Sequence, residues 1–138
     1  MRLIDRIQET DMSVANYCKV LACAQMTFSE VDMEDEDMIS KLDPKKKMLF
    51  HAIDPENNIV KGGVFMISSP DTSDEIAQIT TKEEQRMIFV NLIDFAFADG
   101  SMSNDEKRVM KRYLDSFNPD PDEFEIIFQV LSWKYNLS

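Results

Sequence analysis

From position 14 to 28 the apolar residues Val14, Tyr17, Cys18, Leu21 and Ala22 return every three or four positions, the period that gathers side chains on one face of an α-helix. Ser13 precedes them as a candidate N-cap, and the helix is expected to end near Phe28. An acidic run over 30–37 follows, after which Met38, Ile39 and Leu42 have the spacing of a short amphipathic helix. Asp43-Pro44 reads as an N-cap with proline at the first helical position, and Met48, Leu49, Ala52 and Ile53 carry that helix forward. Past the turn residues at 54–58 the pattern breaks. The stretch Ile59-Val60-Lys61-Gly62-Gly63-Val64-Phe65-Met66-Ile67 leaves strand and helix open, its β-branched content favouring a short β-like insertion.

The helical period returns in the second half. Ser73 is a candidate cap for a short helix through Ile76 and Ile79. Thr81-Lys82-Glu83-Glu84 is a capping box, in which the threonine hydroxyl and the glutamate carboxylate each satisfy an orphan amide. The helix it starts is apolar almost all round over 87–98, as expected of a helix buried on most faces. Asn91 and Asp94 lie three apart on one face and are expected to meet solvent or a polar partner. Gly100 can take the left-handed conformation that ends this helix, and Ser103-Asn104-Asp105-Glu106 is a second capping box. Val109, Met110, Tyr113, Leu114 and Phe117 form the buried stripe of the next helix. Asn118-Pro119 makes a turn, and Asp120-Pro121-Asp122-Glu123 starts a last helix with a cap, a proline and acids that complement its dipole. That helix carries Phe124, Ile127, Phe128 and Leu131 on one face, with Trp133 and Tyr135 near its end.

The expected architecture is all-α: one domain over 1–138, long enough at 138 residues to bury a core without disulfides or a structural metal. A hydrophobic fraction of 43% argues against disorder, and three glycines are too few for a sandwich or barrel of many short strands. Arg2 alone does not make a signal-peptide start, and no apolar run approaches the length of a membrane span, so a cytoplasmic protein is expected. Cys18 and Cys23, five apart on a helix, diverge and are expected to be buried thiols rather than a redox pair or metal ligands. The net charge of −11 disfavours nucleic acid and favours cations or basic protein surfaces as partners. Solubility alone also accounts for such a charge.

The two halves repeat weakly. Phe28, Glu30, Met33, Glu36 and Asp37 align at one common offset with Phe97, Asp99, Met102, Asp105 and Glu106, which suggests a divergent first unit over about 10–58 and a clearer second over about 73–138. The second acidic turn also overlays part of a calcium loop, with Asp99 and Gly100 at its fifth and sixth positions, Ser103 at the ninth and Glu106 at the twelfth. Phe95 and Phe97 stand where the first ligands belong, so only a partly hydrated site remains, with Asp94 able to replace one missing ligand. Its candidate ligands for calcium or magnesium are Asp94, Asp99, Ser103 and Glu106. The same residues have a role that needs no ion, as helix stop, turn and cap.

Over residues 81–130 the apolar helix running into Asp99-Gly100, with Met102 two positions on and a Ser-Asp-rich segment ending in Glu106, resembles the TerB-like (tellurite resistance) family. The resemblance implies a helical bundle of two related units, a divalent cation held near Asp99 and Glu106, and a stress-related binding or scaffolding role. The first unit departs from it, having Val31 where the second has Gly100.

An enzyme needs a nucleophile with a nearby base, a closed metal site or a phosphate loop, and none is legible. His51, the sole histidine, sits among Phe50, Ala52 and Ile53 and reads as packing. Gly62-Gly63 lacks the lysine and hydroxyl residue of a phosphate loop. The methionines, including Met26, Met33, Met38, Met48 and Met66, are expected to fill core more than to line a groove. Two functions follow: a non-enzymatic TerB-like module engaging a protein partner, or an acidic inhibitor or immunity-type protein. In the second, Glu30, Asp32, Glu34, Asp35, Glu36 and Asp37 occupy a basic target site.

Overall fold

The computed structural model describes residues 2–28, 35–52, 72–98 and 100–136. Among them the chain is all-α, with eight helices: α1 (Leu3–Gln8), α2 (Val14–Phe28), α3 (Glu36–Ser40), α4 (Pro44–Ala52), α5 (Thr72–Ile79), α6 (Lys82–Phe97), α7 (Asn104–Phe117) and α8 (Pro121–Lys134). The proposed β-like insertion at 59–67 lies outside the described residues.

The two most apolar helices form the centre. Among the described helices α2 and α6 pack on each other most extensively, burying Leu21, Ala22 and Met26 against a core that includes Ile88, Phe89, Leu92 and Ile93. Full burial of such side chains contributes about 1.5–3 kcal/mol each for the larger ones, so this pair contributes substantially to stability. α4 and α7 flank α2, α5 lies on α7, and α8 lies on α6 at the edge of the bundle. An edge-to-face series of rings stitches the second half together: Tyr113 to Phe117 (5.3 Å), Phe117 to Phe89 (5.2 Å) and Phe89 to Phe124 (5.8 Å).

Most helix boundaries fall where turn and cap chemistry place them. Ser13 Oγ accepts from the Asn16 N–H, and Asp43 Oδ1 from the Lys46 N–H, at the starts of α2 and α4. Both capping boxes are formed in full, at Thr81 with Glu84 and at Ser103 with Glu106. Gly100 adopts φ +94, the positive value that a side chain resists. Asp120 accepts from the Asp122 N–H ahead of Pro121. Two boundaries differ from expectation. α1 precedes the first expected helix, held by Leu3 and Ile7 one turn apart in the core. α5 begins at Thr72, so Ser73 lies inside it, buried, with its hydroxyl accepting from Ser116 Oγ instead of capping.

Candidate functional site

The acidic turn between α6 and α7 is held by lysines from elsewhere in the chain. Glu106 is buried; its Oε1 accepts from the Ser103 N–H (3.0 Å) and its Oε2 from Lys46 Nζ (3.3 Å), while Ser103 Oγ accepts from the Glu106 N–H (3.1 Å). Asp94, one helix earlier, is buried as well. Its Oδ2 is paired with Lys45 Nζ, and its Oδ1 accepts from Tyr135 Oη (2.6 Å) and Lys134 Nζ (3.0 Å). The adjacent Lys45 and Lys46 of α4 thus reach two carboxylates on α6 and α7, and the end of α8 closes on the first of them. Burial, reinforced by the Lys134 ammonium, pulls the Lys45 pKa down from its ordinary value.

Asp94, Ser103 and Glu106 therefore have every carboxylate or hydroxyl oxygen engaged by an ammonium, hydroxyl or amide donor, which a cation would have to displace. Asp99 lies outside the described residues. Among those described, no three His, Cys, Asp or Glu side chains gather as a metal site. Of the acidic run, Glu30, Asp32 and Glu34 lie outside as well; Asp35 Oδ1 caps α3 by accepting from the Asp37 and Met38 N–H groups, and Glu36 and Asp37 are exposed.

The thiols are core groups. Cys18 and Cys23 are free and buried, and burial pushes each pKa up to about 12. Met26 and Met110 fill the core, whereas Met48 is 72% exposed, and Met33 and Met66 lie outside the described residues. His51 belongs to α4, but its side chain also lies outside.

A second feature emerges on α8. Leu131 is buried, and Phe124 and Ile127 pack on the core. Ile126, Val130 and Trp133 are 63%, 50% and 69% exposed, at the i, i+4, i+7 spacing that makes one continuous stripe. Helical rotation of about 100° per residue places this stripe beside Glu123 and Ile127, next to a cleft of about 320 Å³ between α6, α7 and α8. Phe89, Phe117, Phe124 and Ile127 give the cleft its apolar lining, and Lys82, Arg86 and Glu123 lie more exposed. Arg86 and Glu123 pair at 2.6 Å, and Lys82 Nζ donates to the Phe117 carbonyl at 2.6 Å. Gln85 also lines the cleft; its Nε2 donates to the Ala77 and Thr80 carbonyls, while its buried Oε1 has no donor. The stripe was missed in reading the sequence, although its signal, a second apolar period on a helix that already had a core face, was present.

Comparison with family models, curated proteins and solved structures finds no match for this chain. No helix among the described residues is long and apolar enough to cross a membrane.

Proposed function

We propose that this chain is a non-enzymatic, TerB-like helical module that docks a protein on the outward face of α8. The observation that carries the reading is the stripe Ile126, Val130, Trp133: three large apolar side chains, aligned on an edge helix and left in water. Single exposed apolar residues are ordinary, but an aligned set ending in tryptophan has the make-up of an interface anchor. The thiols support a binding role over catalysis, since protonated groups inside a core do not act as nucleophiles. The central pairing of α2 with α6, each followed two helices later by one that starts at Asp-Pro (α4 and α8), supports two related units. The lysines on Asp94 and Glu106 give the acidic turn a structural part in this module, tying α4, α6, α7 and α8 together.

The test is a photo-crosslinking side chain at Gln129, in the native cell, in the wild-type background and in two variants. The reading expects a crosslinked protein that Ile126→Asp abolishes and that neutralising Asp35, Glu36 and Asp37 spares. The opposite pattern would transfer binding to the acidic run and favour the inhibitor-type function.

A further inference from the structure

We propose that α8 is a strap, hinged at Asn118-Pro119-Asp120 and clasped on Asp94, that swings off α6 as one unit while the rest of the bundle stays folded. Its release uncovers Phe89 and Phe97, whose rings the closed strap covers with Phe124 and Phe128. The device is separate from docking on the outward face and stands whatever binds there.

The seating of α8 is shallow. Of its 14 residues only Leu131 is fully inside, whereas α7, also 14 residues long, buries Glu106, Val109, Met110, Tyr113 and Phe117. Phe124 and Ile127 are half-buried, and Phe128, although its ring meets Phe97 at 5.1 Å, is 39% exposed. Near the hinge the cleft of about 320 Å³ leaves space between the first turns of α8 and the helices beneath. Little apolar area therefore holds the helix down, which puts it toward the low-stability end of the fold. Its two polar tethers are unequal. Arg86 and Glu123 pair near the hinge at 2.6 Å, but both side chains are about half exposed, where an ion pair holds weakly. At the far end Tyr135 Oη (2.6 Å) and Lys134 Nζ (3.0 Å) both donate to Oδ1 of the buried Asp94, so charge-assisted bonds set the threshold for release there. The rest of the bundle is prepared for losing them. Asp94 keeps Lys45 of α4 on its Oδ2, so opening strands no carboxylate, and it relieves both burial and the Lys134 ammonium, the two influences that pull the Lys45 pKa down. Left-handed residues, Asn118 (φ 46) and Asn136 (φ 56), stand beyond the two ends of α8, so neither neighbouring segment continues it and the helix turns as a rod about the first.

Native-state amide hydrogen exchange of the full chain, resolved by residue and followed through low concentrations of urea, tests the strap. The α8 amides from Phe124 to Lys134 should share one opening, populated at least about tenfold more than the one that exposes the core amides of α2 and α6. Tyr135→Phe removes a bond made only in the closed state and should lower α8 protection about tenfold while α2 protection is unchanged. Arg86→Gln, at the hinge end, should lower it by less than about threefold. Neither substitution touches a fully buried residue, and circular dichroism checks that the fold is kept. Exchange of the α8 amides only together with those of α2 and α6 overturns the strap. Protection that falls away residue by residue from Lys134, with no shared opening, is fraying and overturns it too. A Tyr135→Phe effect no larger than that of Arg86→Gln takes the clasp away from Asp94, and the proposal falls with it.

Discussion

Cys18 and Cys23 lie on the helix at the centre of the bundle, and their burial has a consequence for pH. Each thiol is raised from 9.0 to about 12 on folding, so between those values the unfolded chain has lost protons that the folded chain keeps. Their contribution to stability is present in full below pH 9 and declines as pH rises towards 12. Tyr113, wholly buried with its hydroxyl donating to Gln25, is raised for the same reason and adds to the loss at the alkaline end. Urea unfolding at pH 8 and pH 10.5 should show wild type losing more stability than Cys18→Ala/Cys23→Ala, with the difference vanishing below pH 9. An equal loss in both would mean that the thiols do not titrate as core groups. At this same scale Asp94 shows what spacing conceals. Its polarity on an apolar helix signalled a partner, but Lys45 and Lys134 are remote in sequence on either side, and only the packing of α4 and α8 on the centre delivers them.

At the scale of elements, local chemistry was legible and long-range pairing was not. Thr81 with Glu84 and Ser103 with Glu106 close their boxes within one turn, so reading four residues was enough to place two helix starts. α1 escaped because it offers one Leu3–Ile7 pair and an N-cap, Arg2, without a side-chain cap. Glu106 joins the two kinds of information, being a local cap through Oε1 and a tether to α4 through Oε2. The Lys46–Glu106 pair is buried on both sides, with side chains 7% and 5% exposed, so desolvation opposes much of its attraction. Its energetic signature is asymmetric. Lys46→Met leaves a carboxylate buried without its ammonium and should cost about 3–5 kcal/mol, whereas adding Glu106→Gln should recover a substantial part of that loss. Chemical unfolding of the wild type, both single variants and the double variant measures the coupling; strictly additive losses would show that the two side chains do not act as a pair.

Taken as a whole molecule, the chain carries 26 acids against 15 bases, and its fold must tolerate that excess. The apolar centre supplies the cohesion, and lysines are placed where acids would otherwise be buried alone, on Asp94 and Glu106. The remaining acids repel across the surface, over distances that salt controls: the Debye length falls from ~30 Å at 0.01 M to ~8 Å at 0.15 M. Sodium chloride should therefore raise the melting temperature by screening repulsion, while the buried Lys46–Glu106 contact is little affected. The same experiment isolates any ion bound at the acidic turn. Calcium or magnesium at matched ionic strength screens no less, so only stabilisation beyond that comparison reports a site; at ten times its Kd a bound ion adds about 1.4 kcal/mol, on the order of 3–5 °C here. An excess that Asp99→Asn/Glu106→Gln removes would place a cation at the turn, with Lys46 yielding to it. Equal shifts for sodium and the divalent ions would leave the lysines as the positive charge that completes the turn, and a fall in melting temperature with sodium chloride would mean that attractive surface pairs outweigh the repulsion argued from net charge.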